Sequence, residues 1–221
     1  MWDKQTIMMI VEGTGVTLYM TLASTLIAYA LGLPMGILLV VSAPGGLKPN
    51  RAVYKILDVA VNIVRSIPFL ILLMLIIPFT RLIVGKSYGA TATIVPLALA
   101  AAPFVARLVE SSLLEVDHGV IEAAQSMGAD LWTIIWKVLL AEARTSLIVG
   151  ATIALGTILG YSAMAGVVGG GGLGDIAIRY GYYRYQADIM IVTVVLLVAL
   201  VQILQMVGTR LSKKLDRRIT R

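Results

Sequence analysis

Four stretches of this 221-residue chain contain no Asp, Glu, Lys or Arg: 13–47, 87–106, 145–174 and 189–209. A helix needs roughly 20 consecutive apolar residues to cross the hydrocarbon core of a bilayer, so each run is long enough to span one. A shorter uncharged run, 66–80, follows a stretch with one Asp and one Arg and extends to a further span. Inside lipid every backbone N–H and C=O must find its partner within the segment, which makes such runs helical. The expected spans lie at about 14–41, 56–78, 88–110, 145–168 and 187–209. The fold class is an all-α integral membrane protein, one domain over 1–221 with five transmembrane helices. Within the first run, Gly32-Leu-Pro-Met-Gly36 permits a re-entrant turn, but a single kinked helix is preferred because membrane spans tolerate Pro and Gly.

Composition closes the other routes. Hydrophobic residues make up 59% of the chain and charged ones 14%, with a mean hydropathy of +0.92. That leaves too little polar surface for a water-soluble domain, and it is the reverse of a disordered balance. With no cysteine and a single histidine, His118, thiolate chemistry and a histidine-rich metal centre are excluded, and no metal site is expected. The net charge of +6 reads as topology rather than as nucleic-acid binding. Six of the 18 basic residues fall in the last twelve positions: Arg210, Lys213, Lys214, Arg217, Arg218 and Arg221. Basic residues concentrate on the cytoplasmic side of membranes. Putting this tail inside gives the cytoplasmic segments twelve Lys and Arg against five outside, with Arg65 within a span. The expected orientation is N-terminus outside, C-terminus cytoplasmic. The first apolar run far exceeds the about 7–15 residues of a signal-peptide core, so no cleavable leader is expected.

The loop at about 115–142 is the one substantial stretch between spans, and it reads as two short helices. Val120, Ala124 and Met127 mark one apolar face, and Gly128 follows as a helix terminator. Asp130 then caps a second helix whose apolar positions are Leu131, Ile134, Ile135, Val138 and Leu139. A helix-turn-helix DNA reader has a similar outline, but this loop and its flanks carry six acids. A loop lying against the membrane for structural reasons is the plain alternative. Small Ala123 and Ala124 suit close approach to a partner surface, and Glu122 offers it one charge.

Glu122-Ala123-Ala124, three residues, Gly128, then nine residues to Val138-Leu139-Leu140 resembles the "EAA" loop of permease subunits of ATP-binding-cassette importers. It departs at Ala141, where that family has proline. The resemblance continues along most of the chain. Asn62-Ile-Val-Arg-Ser-Ile-Pro-Phe69 is similar to amino-acid permeases. Ile77-Pro-Phe-Thr-Arg81, Ala101-Ala-Pro-Phe104, Gly160-Tyr-Ser-Ala-Met164, Gly171-Gly-Leu-Gly174 and Tyr180-Gly-Tyr182 resemble the bacterial methionine-uptake permeases. The resemblance implies a homodimer in the bacterial inner membrane, joined to two ATPase subunits and fed by an extracytoplasmic substrate-binding lipoprotein. It implies that Glu122, Ala123, Ala124 and Gly128 form the coupling loop in an ATPase cleft. ATP and magnesium then sit on the ATPase, this chain binds no cofactor, and methionine in its L and D forms is the substrate. The chain itself is no enzyme: it has neither a phosphate-loop lysine motif nor a catalytic constellation.

For the pathway, Tyr161, Ser162 and Met164 form a mixed polar and soft-apolar group on an otherwise plain helix. Methionine is flexible and polarizable enough both to close a constriction and to yield to an apolar ligand. The resemblance places Met164 at the gate, while packing against lipid or core is the alternative. The glycines of 169–174 are expected to form a turn where backbones approach closely at the dimer axis. Arg65 and Asp58 sit seven residues apart, so direct pairing needs a third group. Other readings are a permease for another small amino acid or a phosphonate-like anion, an ion-coupled secondary transporter, and a membrane-embedded enzyme.

Overall fold

A computed structural model describes residues 3–215; Met1, Trp2 and 216–221 lie outside it, and with them Arg217, Arg218 and Arg221 of the basic tail. The described residues form helices and connecting turns, with no strand among them. Among the described residues four helices are long and apolar enough to cross a membrane: α1 (Lys4–Ser42), α5 (Ala90–Leu114), α9 (Arg144–Ala165, prolonged by the 3-10 turn Gly166–Val168) and α11 (Ala187–Leu215). A fifth span is obtained if α2 (Arg51–Ser66) and α3 (Phe69–Leu75) count as one bent pair.

The second segment is where structure and sequence reading differ. Instead of one helix over 56–78, α2 and α3 meet at 103°, and α4 (Ile77–Val84) follows after a second break. Pro68 causes the first break. Its ring excludes the helical conformation of the residue before it, and Ile67 is extended at φ −82°, ψ 124°. Helix α1, by contrast, runs unbroken through Pro34, as one kinked helix was expected to. It begins well before residue 14 because Asp3 caps it, accepting a hydrogen bond from the Thr6 N–H at 2.8 Å.

The core is built on close contact between α1 and α5. The buried face of α1 carries small residues at helical spacing, among them Thr17, Ser24, Ala28, Gly32 and Gly36. A Cβ on Gly32 would sit 2.6 Å from the Ala102 carbonyl oxygen, and one on Gly36 2.7 Å from that of Ala106. Alanines 101, 102 and 106 complete the seam from α5. Lipid offers no hydrophobic drive between helices, so backbone-to-backbone packing of small residues is what holds such a pair together. Of its span window, 67% is buried in α5 against 11% in α11, which makes α5 the centre of the protomer and α11 its outer wall.

The glycine-rich turn packs against α1 and α9 of its own protomer. Gly172 lies against Thr17 and Met20 of α1, and Gly174 against Ala163 of α9, with no room for a Cβ at either. The Leu173 N–H, at the start of α10 (Gly172–Ile176), donates to the buried Thr17 Oγ1 at 2.8 Å. That bond closes a contact between residues 156 positions apart.

Candidate functional site

The loop between α5 and α9 is built as its residues direct. Asp117 caps α6 (His118–Ser126) by accepting from the Gly119 N–H at 2.7 Å. The helix stops at Gly128, whose φ of +79° is left-handed and strained for any other residue. The Ala129 N–H returns to the Ala124 carbonyl at 3.0 Å and the Gly128 N–H to Gln125 at 2.9 Å. These are the two bonds of a Schellman motif. Asp130 then caps α7 (Leu131–Thr133), accepting from the Thr133 N–H at 3.1 Å. Hydrogen bonds from the Thr133 side chain and backbone hold the Asp130 carboxyl below its ordinary range. The chain continues through a π-helical stretch, Ile134–Leu139, and α8 (Leu140–Glu142).

Three of the four expected coupling residues lie on the surface: Glu122, Ala123 and Gly128 are exposed, beside Met127 at 81%. Glu122 meets His118 Nδ1 at 3.1 Å, with both side chains open to solvent. Ala124 differs. It is buried and packs into its own protomer rather than toward a partner. Of the apolar face expected on this helix, Val120 and Met127 are exposed, and Ile121 packs inward in their place. Met127 lies beyond the last turn of α6, so helical spacing no longer sets its direction. On the second helix Ile134, Ile135 and Leu139 are buried and Leu131 and Val138 half-buried, as expected.

Ala124 has a mechanical consequence. It shares one continuous apolar cluster with Ile134, Ile135 and Leu139 of the loop, Val105 and Val109 of α5, and Ala154 and Ile158 of α9. Interiors packed this way have low compressibility and pass displacement on. A push on the exposed knuckle therefore reaches α5 and α9 through solid contact.

At the other end, Tyr161 is stacked on Phe69 of α3, ring centroids 4.5 Å apart and nearly parallel. Met164 is half exposed, whereas Ser162 is buried and its hydroxyl donates to the Leu159 carbonyl at 2.7 Å. The three residues are thus not one surface group: Ser162 turns inward, its hydroxyl committed to its own helix. Asp58 and Arg65 do not pair. Asp58 instead meets Arg107 of α5, which also binds Glu110 at 2.6 Å and Asn62 at 3.0 Å. Sequence reading missed this network because its partners are 45 to 49 residues apart. The signal available was a polar repeat along 51–66.

A bundle of membrane helices with a helix-turn-helix loop packed against its spans belongs to a class of membrane transport subunits. The sequence pattern of the "binding-protein-dependent transport system inner membrane component" family matches residues 32–221, and the chain belongs to that family. It is 52% identical over 210 residues to the probable D-methionine transport system permease protein MetI of Vibrio cholerae, covering 95% of this chain and 93% of that one. Against the Escherichia coli K12 D-methionine permease MetI the identity is 51% over 158 residues, 72% and 73% of the two chains. The fold superposes on an inward-facing MetNI methionine ABC transporter chain with a TM-score of 0.96 and 48% identity, covering 98% of this chain and all of that one. An amino acid ABC transporter shares the fold at a TM-score of 0.72 and 19% identity.

Proposed function

We propose that this chain is the permease subunit of an ATP-driven importer of methionine, in its L and D forms. Whole-chain likeness to the methionine permeases carries the substrate. The exposed knuckle joined to the spans by one apolar cluster carries the mechanism. The working unit is two copies of the chain with two ATPase subunits, which hold ATP and magnesium, and an extracytoplasmic substrate-binding lipoprotein. The C-terminus and the loop face the cytoplasm and the N-terminus faces outside, following the distribution of Lys and Arg.

In this reading Glu122, Ala123 and Gly128 sit in a cleft of the ATPase, and Ala124 is the keel that ties them to the bundle. Closure of the ATPase pair on ATP displaces the knuckle. The cluster passes that displacement to α5 and α9, and the spans rock between inward- and outward-facing states. Substrate crosses between the two copies, since a single packed bundle leaves no tunnel of its own. Tyr161 and Met164 line the outer constriction; Ser162 holds α9 in shape beside them.

The test is purification of the tagged chain in mild detergent with its co-purifying proteins identified by mass. An ATPase subunit comes with the wild type and is lost from Gly128→Pro, because proline fixes φ near about −65° where +79° is required. A chain that purifies alone and stable removes the coupling assignment and favours an ion-coupled transporter.

A further inference from the structure

Helix α2 has three faces rather than two. Tyr54, Leu57, Val61 and Val64 turn inward, Tyr54, Leu57 and Val61 meeting Leu39 of α1 and Ala106 of α5. Ile56, Val59 and Ile63 form an exposed apolar face. Between them Arg51, Lys55, Asp58, Asn62, Arg65 and Ser66 recur at i, i+4, i+7, i+11, i+14 and i+15, which is one narrow stripe of a helix. The stripe rises about 22 Å along the axis at 1.5 Å per residue, up to the break at Pro68. Arg107, which it meets, lies about 10 Å from the loop end of α5 by the same measure. Where a helix of this kind enters a bilayer its ionisable groups face protein or a water-filled cavity, because hydrocarbon contact is costly.

The charges on this stripe fall into two spots. Asp58, Arg107 and Glu110 form one bonded group with two carboxylates and one guanidinium, net negative, with Asn62 bridging Asp58 and Arg107. Arg65, one turn beyond Asn62, is exposed and has no ion pair among the described residues. A clasp between α2 and α5 accounts for Asp58 and Arg107; Arg65, in the last turn of α2, lies outside that clasp.

We propose that this stripe is the surface over which the charged head of a zwitterionic amino acid passes on the loop side of the pathway. Arg65 receives the carboxylate, and the net-negative group at Asp58 and Asn62 receives the ammonium. Asn62 is one turn from each of Arg65 and Asp58, which are about 10 Å apart along the axis, so a head group carrying both charges on one carbon fits between the long Arg65 side chain and the Asp58 group. Exposed Ile63 and Val59 flank them and give an apolar side chain somewhere to lie. One weak contact for each charge suits transit, which requires binding loose enough to release. The inference rests on the amino-acid importer reading above and refines it.

The test is uptake by the reconstituted full complex, with the same binding protein throughout. Three probes are offered: methionine, its carboxamide (no carboxylate) and its N-acetyl derivative (no ammonium). Arg65→Gln is expected to lower methionine uptake about tenfold and to shrink the preference for methionine over the amide by a similar factor, with Arg65→Lys restoring most of it. Asp58→Asn shrinks the preference over the N-acetyl compound instead. Lys86→Gln, on an exposed loop, leaves both ratios as in wild type. Wild-type preferences in Arg65→Gln overturn the inference while leaving the importer reading intact. A wild-type complex that moves no methionine removes both.

Discussion

Replacing Gly36 by alanine adds one methyl group where α1 has no space for it. The new Cβ would lie 2.7 Å from the Ala106 carbonyl oxygen and 2.7 Å from Val109 Cβ, where ordinary contact begins at 3.4 Å. Helix α5 must therefore withdraw by about 0.7 Å along part of the central seam. Overpacking of this kind costs about 1–3 kcal/mol, partly offset by roughly 1 kcal/mol from the better helix propensity of alanine. Gly15 is the internal control, because it sits on the same helix with nothing within 4 Å of an added Cβ. Gly15→Ala keeps the propensity gain without the clash, so the two variants should differ by about 1–3 kcal/mol. Reversible unfolding of both in mixed detergent micelles measures that difference. Gly36→Ala at or above the stability of Gly15→Ala would refute the tight α1–α5 seam.

Thr17→Val removes the hydroxyl that accepts from the buried Leu173 N–H and should destabilise by about 1–3 kcal/mol, with Thr17→Ser retaining most of the stability; equal melting of the two variants contradicts this. The Asp130 carboxyl is held below its ordinary value of 3.8, so its cap is fully present above that pH and is lost as pH falls through the lowered folded value. Amide protection across Leu131–Thr133 should therefore be flat from neutral pH down to about 4 and drop below it, and Asp130→Ala should show no such drop. With Met164 in the proposed gate, Met164→Ala should raise basal leak or ATPase rate in the reconstituted complex; unchanged values return Met164 to packing.

Much of the architecture could be read from residues close together in the chain. Asp130 and Gly128 announce a helix start and a helix stop through local chemistry, and both act as such. The long uncharged runs became the long helices because lipid leaves their backbones no alternative. What stayed hidden depends on distant partners or on direction. The stretch 56–78 is apolar enough to read as one span, yet Pro68 divides it. Asp58 sits too far from Arg65 in the helix to pair directly, and the partner it does meet is 49 residues away. Ser162 and Met164, two positions apart, point to opposite environments, which composition alone cannot assign. The glycines of the 169–174 turn also seat α10 against α1 and α9 within the protomer, through residues far away in the chain.

In the proposed mechanism, motion of a partner ATPase drives methionine through the spans by way of the Glu122–Gly128 knuckle. Methionine uptake by proteoliposomes holding the full complex tests it most directly, with ATP supplied on the knuckle side and no ion gradient. Accumulation that requires ATP and disappears with Gly128→Pro is the predicted result. Uptake that follows an imposed ion gradient without ATP, or that survives Gly128→Pro at full rate, would contradict the account.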